Sequence, residues 1–149
     1  MVIGIGSDHG GYALKNEIIK YLQEKNYEFE DFGTHDCCSV DYPDYGLTVA
    51  EAIKNGECDK GIIVCGTGLG ISMAANKVPG IRAAVCTDTY MARMSREHND
   101  ANILSLGERV VGVGLALEIV QVWLDTEFIG GRHKTRVDKI SDIEKKYSK

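Results

Sequence analysis

The chain has 149 residues, of which 44% are hydrophobic and 26% charged, and its formal net charge is −5. That length and balance suit one domain with a sizeable core and exclude a disordered or fibrous protein. The acidic sum excludes broad binding to nucleic acid, which needs a basic surface, but leaves room for a small anionic metabolite held by two or three local arginines.

In chain order, Val2–Gly6 predicts a short buried strand, broken by Ser7-Asp8-His9-Gly10-Gly11. Leu14, Ile18 and Leu22 then recur every four residues, with Lys15, Glu17, Lys20 and Glu24 between them, which predicts an amphipathic helix. A second strand spans 27–32, a polar loop 33–44, and a helix 45–54 that turns Val49, Ala50 and Ile53 inward. Gly61–Val64 is apolar on both faces, as in a central parallel strand. It ends in Cys65-Gly66-Thr67-Gly68-Leu69-Gly70, which opens a short helix over 71–77. A strand at 82–86, a helix at 89–97, a strand at 103–106 and an apolar helix at 113–124 follow. Gly130-Gly131 breaks the chain before a polar helix over 137–147.

Alternating strands and helices predict a three-layer α/β/α sandwich around a Rossmann-like, mainly parallel five-stranded sheet with right-handed crossovers. Ligands of such folds sit beyond the carboxyl ends of the strands. No window is long and apolar enough to span a bilayer. The cysteines are odd in number (Cys37, Cys38, Cys58, Cys65 and Cys86) and form no Cys-x-x-Cys pair, which disfavours a disulfide framework or a cysteine zinc site. A reducing cytoplasm is the expected compartment.

The glycine-rich turn carries the clearest chemistry. Glycines let the backbone turn tightly and aim several N–H groups at one point, and a helix N-terminus adds positive potential. Such a turn suits a phosphate or a developing oxyanion, or it is simply a tight strand-to-helix connection. The dinucleotide fingerprint fails on spacing, because Ile71 and His9 stand where its last glycine belongs, and the Gly-Lys-Ser/Thr ending of a P-loop is absent. A cysteine at this point is either a small core hydrophobe or a thiolate able to take a weakly acidic proton beside a carbonyl. Cys58 and Cys86 lack a comparable turn and read as structural.

Three further clusters stand out. Asp8 either caps the next helix or, with His9, binds hydroxyls. His98 falls at a helix C-terminus, which suits a histidine electrostatically and also suits a proton donor, with Asn99 beside it. Arg132 and Arg136 share a face if their segment is helical and then suit a phosphate; Arg109 is an isolated candidate of the same kind. Arg93 and Arg96 read as surface residues.

Taken together, Ser7–Gly11, Asp41-Tyr42-Pro43, Cys65–Ser72, Ala74–Lys77, Arg96–Asn102 and Gly130–His133 resemble the ribose-5-phosphate isomerase B family, which also holds the galactose-6-phosphate isomerase subunits. The matching stretches run from one end of the chain to the other. The resemblance implies interconversion of ribose 5-phosphate and ribulose 5-phosphate without metal or cofactor. It further implies a homodimer, sometimes paired into tetramers, with shared active sites and a C-terminal helix packed on the partner. One branch of the family uses a cysteine base and another a glutamate in the next helix; Ile71 occupies that place here, so the chain is similar to the cysteine branch. The implied roles are Cys65 as base, His98 as ring-opening acid and Thr67 as proton relay. Gly66, Gly68, Leu69 and Gly70 supply amides, Asp8, His9, Tyr42 and Asn99 orient hydroxyls, and Arg109, Arg132, Arg136 and His133 hold the phosphate. Rival expectations are a six-carbon sugar phosphate, a flavodoxin-like nucleotide-binding domain, and a purely structural oligomer.

Overall fold

A computed structural model of the chain describes residues 1–148. Five strands form one sheet: β1 (Val2–Ser7), β2 (Glu28–Asp31), β3 (Lys60–Cys65), β4 (Ala83–Val85) and β5 (Ile103–Gly107). Its order is β2-β1-β3-β5-β4 and every pairing is parallel, so the sheet expected to be mainly parallel is wholly so. Placing β5 between β3 and β4 departs from the flavodoxin-like order, in which strand four lies beside strand three. The three central strands β1, β3 and β5 are almost continuously buried, whereas the edge strand β2 alternates exposed and half-buried positions.

The six helices are α1 (Tyr12–Glu24), α2 (Tyr42–Lys54), α3 (Leu69–Ala75), α4 (Thr89–Glu97), α5 (Val113–Asp125) and α6 (Arg132–Tyr147). Leu14, Ile18 and Leu22 of α1 join Ala92 of α4 and Ala116, Ile119, Val120 and Trp123 of α5 in one apolar cluster against the sheet. Val49 and Ala50 of α2 with Ile71 and Ala75 of α3 form a second cluster, which includes Ile63 and Cys65. Burying each large aliphatic side chain contributes about 1.5–3 kcal/mol. No helix among the described residues is long and apolar enough to cross a membrane.

Several boundaries move from expectation, each for a local reason. α2 starts at Tyr42, with Pro43 in its first turn, where the missing N–H costs nothing. α3 starts at Leu69, immediately after Gly68 at φ 79°. α6 starts at Arg132, five residues early, because Gly130 and Gly131 take positive φ and complete the turn into it. Two charges read as exposed are buried. Lys15 is fully enclosed and its Nζ donates to Asp31 Oδ1 at 2.7 Å. Arg96 is 5% exposed rather than a surface residue: its guanidinium donates to Asp100 Oδ1, Ala101 O and Thr126 O and lies over Trp123. Arg93 is exposed as expected.

Candidate active site

From β1 the chain moves outward to β2, and from β3 it moves the other way toward β4. The carboxyl ends of β1 and β3 therefore flank a topological switch point, where parallel sheets open a crevice. Ser7 pairs with Val64, so Asp8 and Cys65 leave adjacent strands at the same level.

Cys65 ends β3, and its Sγ accepts the Gly68 N–H at 3.1 Å. A donor aimed at sulfur favours negative charge there. Only seven residues long, α3 supplies little macrodipole, so this single amide is the local electrostatic support. The sulfur is not openly displayed: Cys65 is 5% exposed and belongs to the cluster of Val49, Ala50 and Ile71. Cys58 and Cys86 lie away from the turn. Burial pushes both thiols up, Cys86 to about 11, which keeps them protonated and structural near neutral pH, as expected from their positions.

The turn is fastened from behind by Ser105 and Gly107, which sequence reasoning missed, and by the backbone of the segment after β5. Ser105 Oγ donates to Gly68 O at 2.7 Å, and the backbone N–H groups of Glu108 and Arg109 donate to Cys65 O and Gly66 O at 3.0 Å each. Gly107 permits the approach, since a Cβ there would lie 2.6 Å from Thr67 O. The available signal was Ser105 itself, a lone polar residue in the apolar run Ile103–Leu106.

Around the turn, the same rim gathers Asp8, His9, Thr67, Tyr42 and Arg109. Asp8 Oδ1 accepts Gly11 N–H at 3.1 Å, so the capping role is realised on the 3-10 turn His9–Gly11. His9 Nδ1 accepts the Val40 N–H at 3.1 Å. That contact leaves the ring proton of neutral His9 on Nε2, as a donor for a ligand. Thr67 Oγ1 accepts Leu69 N–H at 3.2 Å. The Tyr42 ring covers Gly70, where a Cβ would lie 2.5 Å from Tyr42 Cε1. The exposed Arg109 lays its guanidinium over Gly66, whose Cβ would lie 3.1 Å from Nη1.

The remaining candidates lie on the opposite rim. α4 runs back along the sheet, so His98 and Asn99 sit near the amino ends of β4 and β5; Arg82 Nε donates to Asn99 O at 3.1 Å, and Asn102 O accepts from Gly61. α6 starts at this rim too, bringing Arg132, His133 and Arg136 with it, the two arginines one turn apart and exposed. The His98 and His133 rings stack with centroids 4.0 Å apart and planes 10° from parallel. Burial first, then the positive neighbours His98, Arg132 and Arg136, holds the His133 imidazole below its ordinary value, against an opposing pull from Glu97. From Gly61 to Cys65 the strand climbs about 13 Å. One chain thus carries two separate groups of candidates: Cys65 with Asp8, His9, Thr67, Tyr42 and Arg109 at one rim, and His98 with Asn99, His133 and the arginine pair at the other.

A family model described as Ribose/Galactose Isomerase matches residues 3–140. The chain belongs to the ribose/galactose isomerase family. Ribose-5-phosphate isomerase B of Escherichia coli is 51% identical over 144 residues, covering 97% of each chain. The D-erythrulose-4-phosphate isomerase of Pectobacterium atrosepticum is 46% identical, covering 95% of this chain and 94% of its own. Among solved structures, ribose-5-phosphate isomerase B of Clostridium thermocellum superposes with a TM-score of 0.98 at 74% identity, covering 99% of this chain and all of that one. Within the ribose/galactose isomerases the α/β sandwich described above is therefore the family fold, and the division of candidate residues between two rims is a property of the folded chain.

Proposed function

We propose that this chain interconverts D-ribose 5-phosphate and D-ribulose 5-phosphate through a cis-enediolate, in sites completed by a second copy of itself. The observation that carries the reading is the Gly68 N–H aimed at Cys65 Sγ on the crevice rim. In this scheme His98 protonates the ring oxygen as the furanose opens to its aldehyde. The Cys65 thiolate removes the proton on C2, leaving the enediolate, and the thiol returns it to C1. Thr67 passes the hydroxyl proton between O1 and O2. Gly68 and Leu69 already spend their amides on Cys65 and Thr67, so charge on the enediolate falls to the other N–H groups of the turn, including those of Gly66 and Gly70, and to Arg109. Asp8, His9 Nε2–H, Tyr42 and Asn99 orient hydroxyls, while Arg132, Arg136 and Arg109 hold the phosphate.

A five-carbon substrate cannot reach from Cys65 of one chain to His98 of the same chain around the sheet. Two copies arranged so that one His98 rim faces the other Cys65 rim remove the difficulty, and a closed dimer then carries two such sites. α6 supports this arrangement. Its Ile140, Ile143 and Tyr147 are exposed beside a cavity of about 730 Å³ against Ile81 and Ala84, an apolar face of the kind that assembly covers. Five free cysteines, two of them exposed, suit the reducing cytoplasm.

The test is isomerisation of ribose 5-phosphate by the purified chain, beside a panel of four- and six-carbon aldose phosphates. Cys65→Ala should keep the fold and lower turnover by about 10²–10⁴. Near-native turnover in that variant refutes the assignment. Thiol alkylation serves as a second probe only after exposed Cys37 and Cys38 are replaced by serine.

A further inference from the structure

His133 looked from its place beside Arg132 like one more phosphate contact. The folded chain gives it other surroundings. Its residue is 6% exposed, while Arg132 and Arg136 on the same helix are open to solvent. One face of its ring is covered by His98 at 4.0 Å. The segment between the two histidines is tied down at several points. Ile129 N–H donates to Glu97 O at 3.2 Å, Arg96 Nε donates to Thr126 O at 3.1 Å, and His133 N–H donates to Gly130 O at 3.1 Å. Gly130 and Gly131, at φ 76° and 58°, make the reversal that returns the chain onto α4, a backbone course that side chains with a Cβ resist. A loop anchored in this way holds one imidazole flat against the other.

We propose that His133 is a positioning residue for His98: its buried ring fixes the plane of the His98 ring. The proposal rests on the reading of His98 as the ring-opening acid. Burial and the positive neighbours His98, Arg132 and Arg136, against Glu97, disfavour charge on the His133 ring, so what it brings to the stack is a flat, neutral face. A flat neighbour also removes ring flips from the acid, and misplacement of such a group by about 1 Å can cost about 10²-fold in rate.

The experiment separates ring opening from enolisation. Ribulose 5-phosphate is acyclic, so wash-in of solvent deuterium at its C1 reports proton abstraction by Cys65 without a ring-opening step. Isomerisation kinetics on ribose 5-phosphate and this wash-in are measured for the native enzyme, His98→Asn, His133→Ala and His133→Phe. His98→Asn should lose isomerisation and keep wash-in; normal isomerisation there sinks the reading of His98 and the proposal with it. Given that loss, His133→Ala should lower kcat about 10–100-fold with KM little changed and wash-in retained. His133→Phe, flat and uncharged, should recover most of kcat. Should His133→Ala fail to fold, His133→Asn replaces it as the variant without a ring. A raised KM with native kcat would instead make His133 a phosphate ligand. Equal loss of wash-in and isomerisation would make it a general structural residue, and a Phe variant no better than Ala would remove the stack from the explanation.

Discussion

The rim at the carboxyl ends of the strands is organised around a backbone turn, and the rim at their amino ends around packed side chains. At the first, the sulfur, its donor amide and the glycines are locked by Ser105, Gly107 and the segment after β5 into a nearly closed turn. At the second, two stacked histidines and two exposed arginines rely on an anchored loop and the start of α6. The difference matches the two tasks proposed for them. Carbon deprotonation needs a base and an oxyanion site held rigidly and shielded from water. Phosphate capture and ring opening need charged groups that a soluble ligand can reach. In the proposed mechanism neither rim is a complete site, which makes the pairing of rims from two chains the hinge of the functional reading.

The largest expected effect breaks that pairing deliberately. Cys65→Ala and His98→Asn chains should each be nearly inactive alone. Dissociated together and reassembled at equal concentrations, half of the dimers become mixed, and each mixed dimer holds one intact site and one doubly altered site. Activity should return to about a quarter of native, the arithmetic of a two-fold symmetric pair. No recovery, with mixing verified by native mass spectrometry, would place Cys65 and His98 in one chain's site or separate their functions altogether.

A smaller effect sharpens the division of labour at the arginine rim. Arg136→Ala should raise KM for ribose 5-phosphate about tenfold or more, the worth of one charge-assisted hydrogen bond, with kcat changed little. The same substitution should leave wash-in at saturating ribulose 5-phosphate near native. An unchanged KM would remove Arg136 from the phosphate site.

Much of this was legible in the sequence because the signals are local. The buried β3 run, the four-residue spacing of Leu14, Ile18 and Leu22, and the glycine cluster after Cys65 each declare themselves within a dozen residues. What the sequence hid depends on partners far along the chain. Lys15 reads as a solvent-side charge until Asp31 is seen at 2.7 Å, and Arg96 as surface until Asp100, Ala101, Thr126 and Trp123 are seen around it. A buried charge is tolerable only when such partners exist, and spacing along a helix cannot announce them. The placement of the candidates on two rims was hidden likewise, because it follows from the reversed direction of α4 and α5 relative to the strands.

The smallest effect tests how the first rim tolerates intrusion. Gly70 and Gly107 both face groups that a Cβ would strike, but the struck groups differ. At Gly107 the neighbour is the Thr67 backbone, at 2.6 Å, which cannot withdraw without deforming the turn itself. At Gly70 it is the ring of Tyr42, itself 42% exposed and free to swing outward. Gly70→Ala should therefore leave stability to urea within about 1 kcal/mol of native, because the group it strikes is an exposed side chain rather than backbone. Its signature is kinetic: KM for the sugar phosphate rises as Tyr42 leaves its place, and the double variant Gly70→Ala/Tyr42→Ala shows no further rise beyond Tyr42→Ala alone. Additive increases in KM would mean that Gly70 contributes to the site through its own backbone rather than by making room for the tyrosine.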